Sequence, residues 1–157
     1  ALLPIDHGLT VGDGVFETLE LRHGRPFALS RHLDRLERSC SGLRFVPPDR
    51  DDVARAVDAV SRAWGGDAGR LRITVTTGSG PMGSDRGDAP PTLIVSASPM
   101  SIQTEPTGVV TVPFTRNENG ALAGLKSTSY AENVVALQMA RAQGCSEAIF
   151  ANTVGLL

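Results

Sequence analysis

Lys126 is the one lysine among 157 residues, and the chain's fourteen other basic side chains are all arginine. Lysine is the side chain that condenses with carbonyl cofactors to form an imine. Gly124 and Leu125 precede it and the small polar Ser127, Thr128 and Ser129 follow, so little bulk surrounds the amine and a ligand can approach closely. Tyr130, the sole tyrosine, comes one helical turn later with a hydroxyl to offer. The alternative is a solvated side chain, left single by an arginine-rich composition.

A second group is His32-Leu33-Asp34-Arg35, in which helical spacing puts His32 and Arg35 on one face. Leu33 and Leu36 flank Arg35 and draw its guanidinium toward the core edge, where a phosphate would match its fork of donors. Pairing with charged neighbours on a wet face is the competing assignment. The third group is Val11-Gly12-Asp13-Gly14-Val15-Phe16-Glu17-Thr18, a tight turn entering a strand. Strand alternation sends Phe16 and Thr18 one way and Val15 and Glu17 the other, so an aromatic wall and a carboxylate meet different surroundings.

These residues need elements to hold them. VFETLELR and RPFAL read as two strands joined at His23-Gly24. Ser30 stands at an N-cap position, and Leu33, Leu36, Cys40 and Leu43 recur with helical spacing, which predicts a helix over Arg31–Ser41. Pro47-Pro48 breaks the chain, and Asp49 and Asp52 open a second helix carrying Val53, Val57, Val60 and Trp64, ended by Gly65-Gly66. RLRITVTT, TLIVSAS and VVTVPF are three further strands. Residues 78–87, rich in glycine and proline, form a loop. Ser129 and Glu132 read as a capping box for a third helix running to Gly144, and EAIFA as a last strand. The class is mixed α and β.

Composition narrows the function. With 41% hydrophobic and 20% charged residues, the chain has material for a core. The net charge of −2 gives no pull toward polyanions, which argues against a nucleic-acid partner. No apolar run is long enough to cross a membrane and no signal-peptide pattern opens the sequence, so a cytoplasmic protein is expected. Cys40 and Cys145 have neither a CxxC spacing nor histidines at ligand spacing and read as buried thiols, with no metal site expected.

Taken in order, GLTVGDGVFETLELRHGRPFALSRHLDRLERS, GRLRITVTTGSGP and GLKSTSYAENVVALQMARAQGCSEAIFANTVG closely resemble the class IV aminotransferases, the fold-type IV enzymes dependent on pyridoxal 5′-phosphate (PLP). The resemblance covers nearly the whole chain. It implies that Lys126 is the lysine of the internal aldimine, that Arg35 in its H-x-x-R pattern grips the cofactor phosphate, and that Tyr130 bonds the phenolic oxygen of PLP. Phe16 and Arg72 fall at substrate-side positions.

The implied activity is amino-group transfer between an amino acid and a 2-oxo acid. The same scaffold also serves 4-amino-4-deoxychorismate lyases, which eliminate pyruvate to give 4-aminobenzoate. Residues 78–84 lack the arginine and histidine that D-amino-acid aminotransferases place after the corresponding proline, which argues against that branch. Arg72 is compatible with transaminase or lyase.

The implied fold is α+β, built from two α/β domains with the second truncated. The expected division is an N-terminal α+β domain over 1–115, a linker over 116–123, and the start of the PLP-binding domain over 124–157. The family also implies a homodimer. Its members continue past the Thr-x-Gly turn into an acidic partner for the pyridine nitrogen and a phosphate-binding helix start. Those parts are expected beyond Leu157, so this stretch alone should bind PLP poorly.

Overall fold

The computed structural model describes residues 2–101 and 104–157. Its contacts divide into two units: Ala1–Ile102 with Leu125–Thr128, and Gln103–Gly124 with Ser129–Leu157.

The first unit opens with a short helix, α1 (His7–Thr10), which the sequence pattern did not announce. Its main element is a four-stranded antiparallel sheet ordered β2-β1-β3-β4, from β1 (Gly14–Arg22), β2 (Arg25–Pro26), β3 (Ala68–Thr76) and β4 (Thr92–Pro99). The β1–β2 turn forms as expected, with His23 at φ 47° and Gly24 at φ 72°, the left-handed pair that a two-residue hairpin needs. Val15 faces Val75, Glu17 faces Ile73 and Leu19 faces Leu71 across the β1–β3 register. These residues join Leu33, Leu36, Cys40, Val53 and Val57 from two helices, α2 (Leu29–Gly42) and α3 (Arg50–Ala63), in the buried interior.

Both helices form where periodicity placed them, with one changed start. Asp49 caps α3 by accepting from the amides of Asp51 and Asp52. The N-cap of α2 is Ala28 in the left-handed conformation, φ 50°, and not Ser30, which lies inside the first turn. Pro26 sits only three residues before Leu29, so the chain turns into the helix before Ser30 is reached.

In the second unit β5 (Val109–Arg116) runs parallel to β6 (Glu147–Asn152), and α4 (Ala131–Ala142) connects them. The segment 109–114, assigned from sequence to the first domain, thus takes its strand partner from beyond Lys126. Tyr130 is the N-cap residue of α4, so Ser129 stands one position too early for the expected capping box. Glu132 instead approaches Arg116, 3.4 Å away. Cys40 is buried, but Cys145 is only partly so, because it sits in the turn after α4. Among the described residues no helix is long and apolar enough to cross a membrane.

Candidate active site

Residues 126–128 add a short antiparallel rung to the start of β1. Val15 and Ser127 form an isolated bridge, the Phe16 amide donates to the Lys126 carbonyl at 2.9 Å, and the Thr128 amide to the Gly14 carbonyl at 2.8 Å. The Thr128 hydroxyl adds a bond to the Gly12 carbonyl at 2.8 Å. Antiparallel pairing puts directly opposed residues on one face. Ser127 therefore points to the core with Val15, while Lys126 emerges beside Phe16.

That ring carries two cations. Lys126 Nζ stands 4.2 Å from the Phe16 centroid and the Arg72 guanidinium carbon 3.7 Å. Arg72 arrives from β3, where it pairs across from Thr18, and its Nε donates to the Thr74 hydroxyl at 3.1 Å. Phe16 itself is 4% exposed. An apolar wall with an amine and a guanidinium on it suits a small carboxylate-bearing molecule: the ring excludes water and the cations attract the anion.

The other face of β1 carries Glu17, whose side chain is wholly buried at a position where alternation calls for an apolar residue. Arg35 of α2 meets it with two donors, Nε to Oε1 and Nη2 to Oε2, both at 2.6 Å. His32 lies one turn back on the helix and brings Nδ1 to 2.7 Å from Oε2. Burial pushes the Glu17 carboxyl up, but the bonds from Arg35 and His32 and their charges outweigh it, and its pKa falls below the ordinary 4.5. The carboxylate is thus ionised and can only accept, so Nδ1 of His32 donates.

Arg35 and His32 open onto a cleft of about 460 Å³, lined also by Phe27, Ala28, Arg31, Asp34 and Arg38. Three arginines against one aspartate make it an anion-attracting surface. One turn beyond Arg35 on the same helix, the Ser39 hydroxyl accepts the Lys126 amide at 3.3 Å. Leu125 lies against Gly42, where an added Cβ would come within 2.4 Å of its methyl carbon.

The structure therefore gathers Phe16, Arg72 and Lys126 on one face of the sheet. It sets Arg35 on the helix side, tied to the Lys126 backbone through α2. Tyr130 belongs to the second unit and is 43% exposed. Glu17 is the residue that sequence reasoning passed over as a candidate. Its signal was present, since a glutamate alternates in phase with Val15, Leu19 and Leu21.

Residues 14–157 match the family described as amino-transferase class IV, and the chain belongs to that family. It is 33% identical to a bifunctional aminodeoxychorismate lyase / D-amino acid transaminase of Mycobacterium tuberculosis, over 92% of this chain and 53% of the relative. It is 32% identical to a putative branched-chain-amino-acid aminotransferase of Methanocaldococcus jannaschii, over 97% of this chain and 54% of that one. Among solved structures, the PLP-bound form of a hypothetical aminotransferase from Mycobacterium tuberculosis superposes with a TM-score of 0.84 at 30% identity, covering 98% of this chain and 57% of its own. The chain spans about half the length of the curated relatives it matches.

Proposed function

We propose that the full-length protein is a PLP-dependent aminotransferase that moves an amino group between an amino acid and a 2-oxo acid. The observation that carries this reading is the sharing of the Phe16 ring by the Lys126 amine and the Arg72 guanidinium. The residues suit the cofactor: a lysine held by its backbone against an aromatic wall offers the imine-forming amine, and an arginine on an anion-attracting cleft offers a phosphate clamp.

In this reading Lys126 holds the cofactor carbonyl carbon and, as the free amine, moves the proton at the substrate Cα. Arg35 binds the cofactor phosphate, and Tyr130, by family resemblance, the phenolic oxygen. Phe16 shields the reacting carbon from water, and Arg72 orients the substrate carboxylate. PLP, when bound, supplies the electron sink. A homodimer working in the cytoplasm goes with the same resemblance, and light scattering on the purified protein tests the dimer.

The deciding experiment is borohydride reduction of the full-length protein with PLP, followed by peptide mapping. Label on Lys126 is expected; label absent from it sinks the reading. A second reading, 4-amino-4-deoxychorismate lyase, draws support from the 33% identical relative, whose name carries both activities. Pyruvate release from aminodeoxychorismate without an added keto acid selects the lyase. A requirement for the keto acid selects the transaminase, with both amino-acid enantiomers screened.

A further inference from the structure

We infer that Glu17 is a positioning residue for the cofactor phosphate, holding the Arg35 guanidinium and the His32 imidazole at the angle from which they face the cleft. The inference rests on the proposed role of Arg35 as phosphate clamp and extends it one residue inward. An arginine side chain has several soft torsions and points nowhere in particular unless its fork is fixed. Here Nε and Nη2 are fixed at 2.6 Å, by a carboxylate that cannot itself move because β1 and its neighbours surround it.

The cost of that arrangement argues for its purpose. A carboxylate facing Ile73 among Val15, Leu19 and Leu71 surrenders its hydration, and an apolar residue of similar size would fill the position without that penalty. A purely structural pair would need one partner. Glu17 engages two donor side chains, a guanidinium and an imidazole, from successive turns of α2, and both line the same cleft. Bidentate contact leaves the guanidinium plane set by the protein before any anion arrives, so ordering Arg35 is not charged against binding.

The test compares affinities of the full-length apoprotein for PLP and for pyridoxal, which lacks the phosphate, by absorbance titration. Glu17→Gln replaces one acceptor with a donor that opposes the Arg35 N–H groups. It should weaken PLP binding about tenfold, the worth of one charge-assisted hydrogen bond, and leave pyridoxal within about twofold. Glu17→Asp draws the carboxylate back by one methylene and should lower the PLP preference by a smaller factor. Arg35→Gln should abolish most of it, and the Glu17→Gln/Arg35→Gln double variant should be no weaker than Arg35→Gln alone.

A folded Glu17→Gln protein with an unchanged PLP-to-pyridoxal ratio overturns the inference. If Glu17→Gln does not fold, an unchanged ratio in Glu17→Asp overturns it instead. A loss of melting temperature with equal weakening toward both ligands marks Glu17 as structural only, and also overturns it. An unchanged ratio in Arg35→Gln overturns the phosphate-clamp reading itself, separately from the inference.

Discussion

Arg86 meets Asp13 edge to edge, with Nε 2.5 Å from Oδ2 and Nη2 2.6 Å from Oδ1. The same guanidinium donates through Nη1 to the Leu43 carbonyl at 2.7 Å. One side chain thereby ties the glycine-rich segment after β3 both to the turn before β1 and to the end of α2. The Thr77 hydroxyl also donates to Asp13, at 2.9 Å. Nearby, the buried His7 sets Nε2 2.8 Å from the Pro81 carbonyl, so the segment is held at a second point.

Arg86→Ala should release this strap. Arg86 is about a third exposed and solvent screens part of the pair, so the expected loss at pH 7 is about 1–2 kcal/mol. Burial raises the Asp13 pKa, but the bonds from Arg86 and Thr77 and the charge of Arg86 outweigh it and leave it below the ordinary 3.8. Stability from a lowered carboxylate is complete above the unfolded pKa of about 3.9 and drains as pH falls through the folded value. The gap between wild type and variant should therefore narrow below about pH 4. Denaturant titrations at pH 7 and pH 3 measure it, and hydrogen exchange at 79–88 should quicken in the variant. A gap equal at both pH values refutes the account.

Gly78 has φ +82°, and a Cβ there would stand 2.3 Å from the Pro90 carbonyl oxygen. Gly78→Ala combines a left-handed backbone with a clash against rigid main chain, and about 2–3 kcal/mol of destabilisation is expected. Gly83, with nothing within 4 Å of its built Cβ, is the control: Gly83→Ala should leave the melting temperature within about a degree.

Arg72→Gln removes a cation from the Phe16 ring without touching the core-facing side of β3. The expected outcome is a KM for the carboxylate substrate raised about tenfold, from one lost charge-assisted contact, with the melting temperature unchanged. Steady-state kinetics on the full-length protein check it; a fall in kcat with constant KM contradicts a substrate-orienting role.

The two thiols should react unequally. Burial pushes Cys40 up to about 12, and no solvent reaches its side chain, whereas Cys145 is partly exposed. A disulfide reagent at pH 8, followed by peptide mapping, should label Cys145 in the native protein and Cys40 only after denaturation. Equal labelling at early times would show that Cys40 is accessible.

Much of this was legible in the sequence because local signals agreed with the global fold. The period-two runs of β1 and β3, the helical recurrence of Leu33, Leu36 and Cys40, and the cap at Asp49 each depend on near neighbours alone. Most of what escaped depended on distant ones. The parallel partner of β5 lies more than thirty residues downstream, while the N-cap of α2 at Ala28 was missed for a local reason, the strand that ends at Pro26. At the site, Lys126 was singled out as the sole lysine, while the role expected of Arg35 came from the family resemblance and not from its spacing. The burial of Glu17 required knowing that α2 would supply an arginine and a histidine above it, and the meeting of Phe16, Arg72 and Lys126 required the register of three separate segments.

The spacing along α2 makes that helix a ruler. Arg35 and Ser39 are four residues apart, about 6 Å of rise, so the proposed clamp and the anchor for the lysine backbone are graduated on one rigid rod. The side chains that would meet substrate are mounted on the opposite face of the sheet. If the proposed roles hold, substitutions at Phe16 or Arg72 should retune what is accepted without recalibrating the distance between clamp and anchor, a separation of duties that a protein engineer could exploit one face at a time.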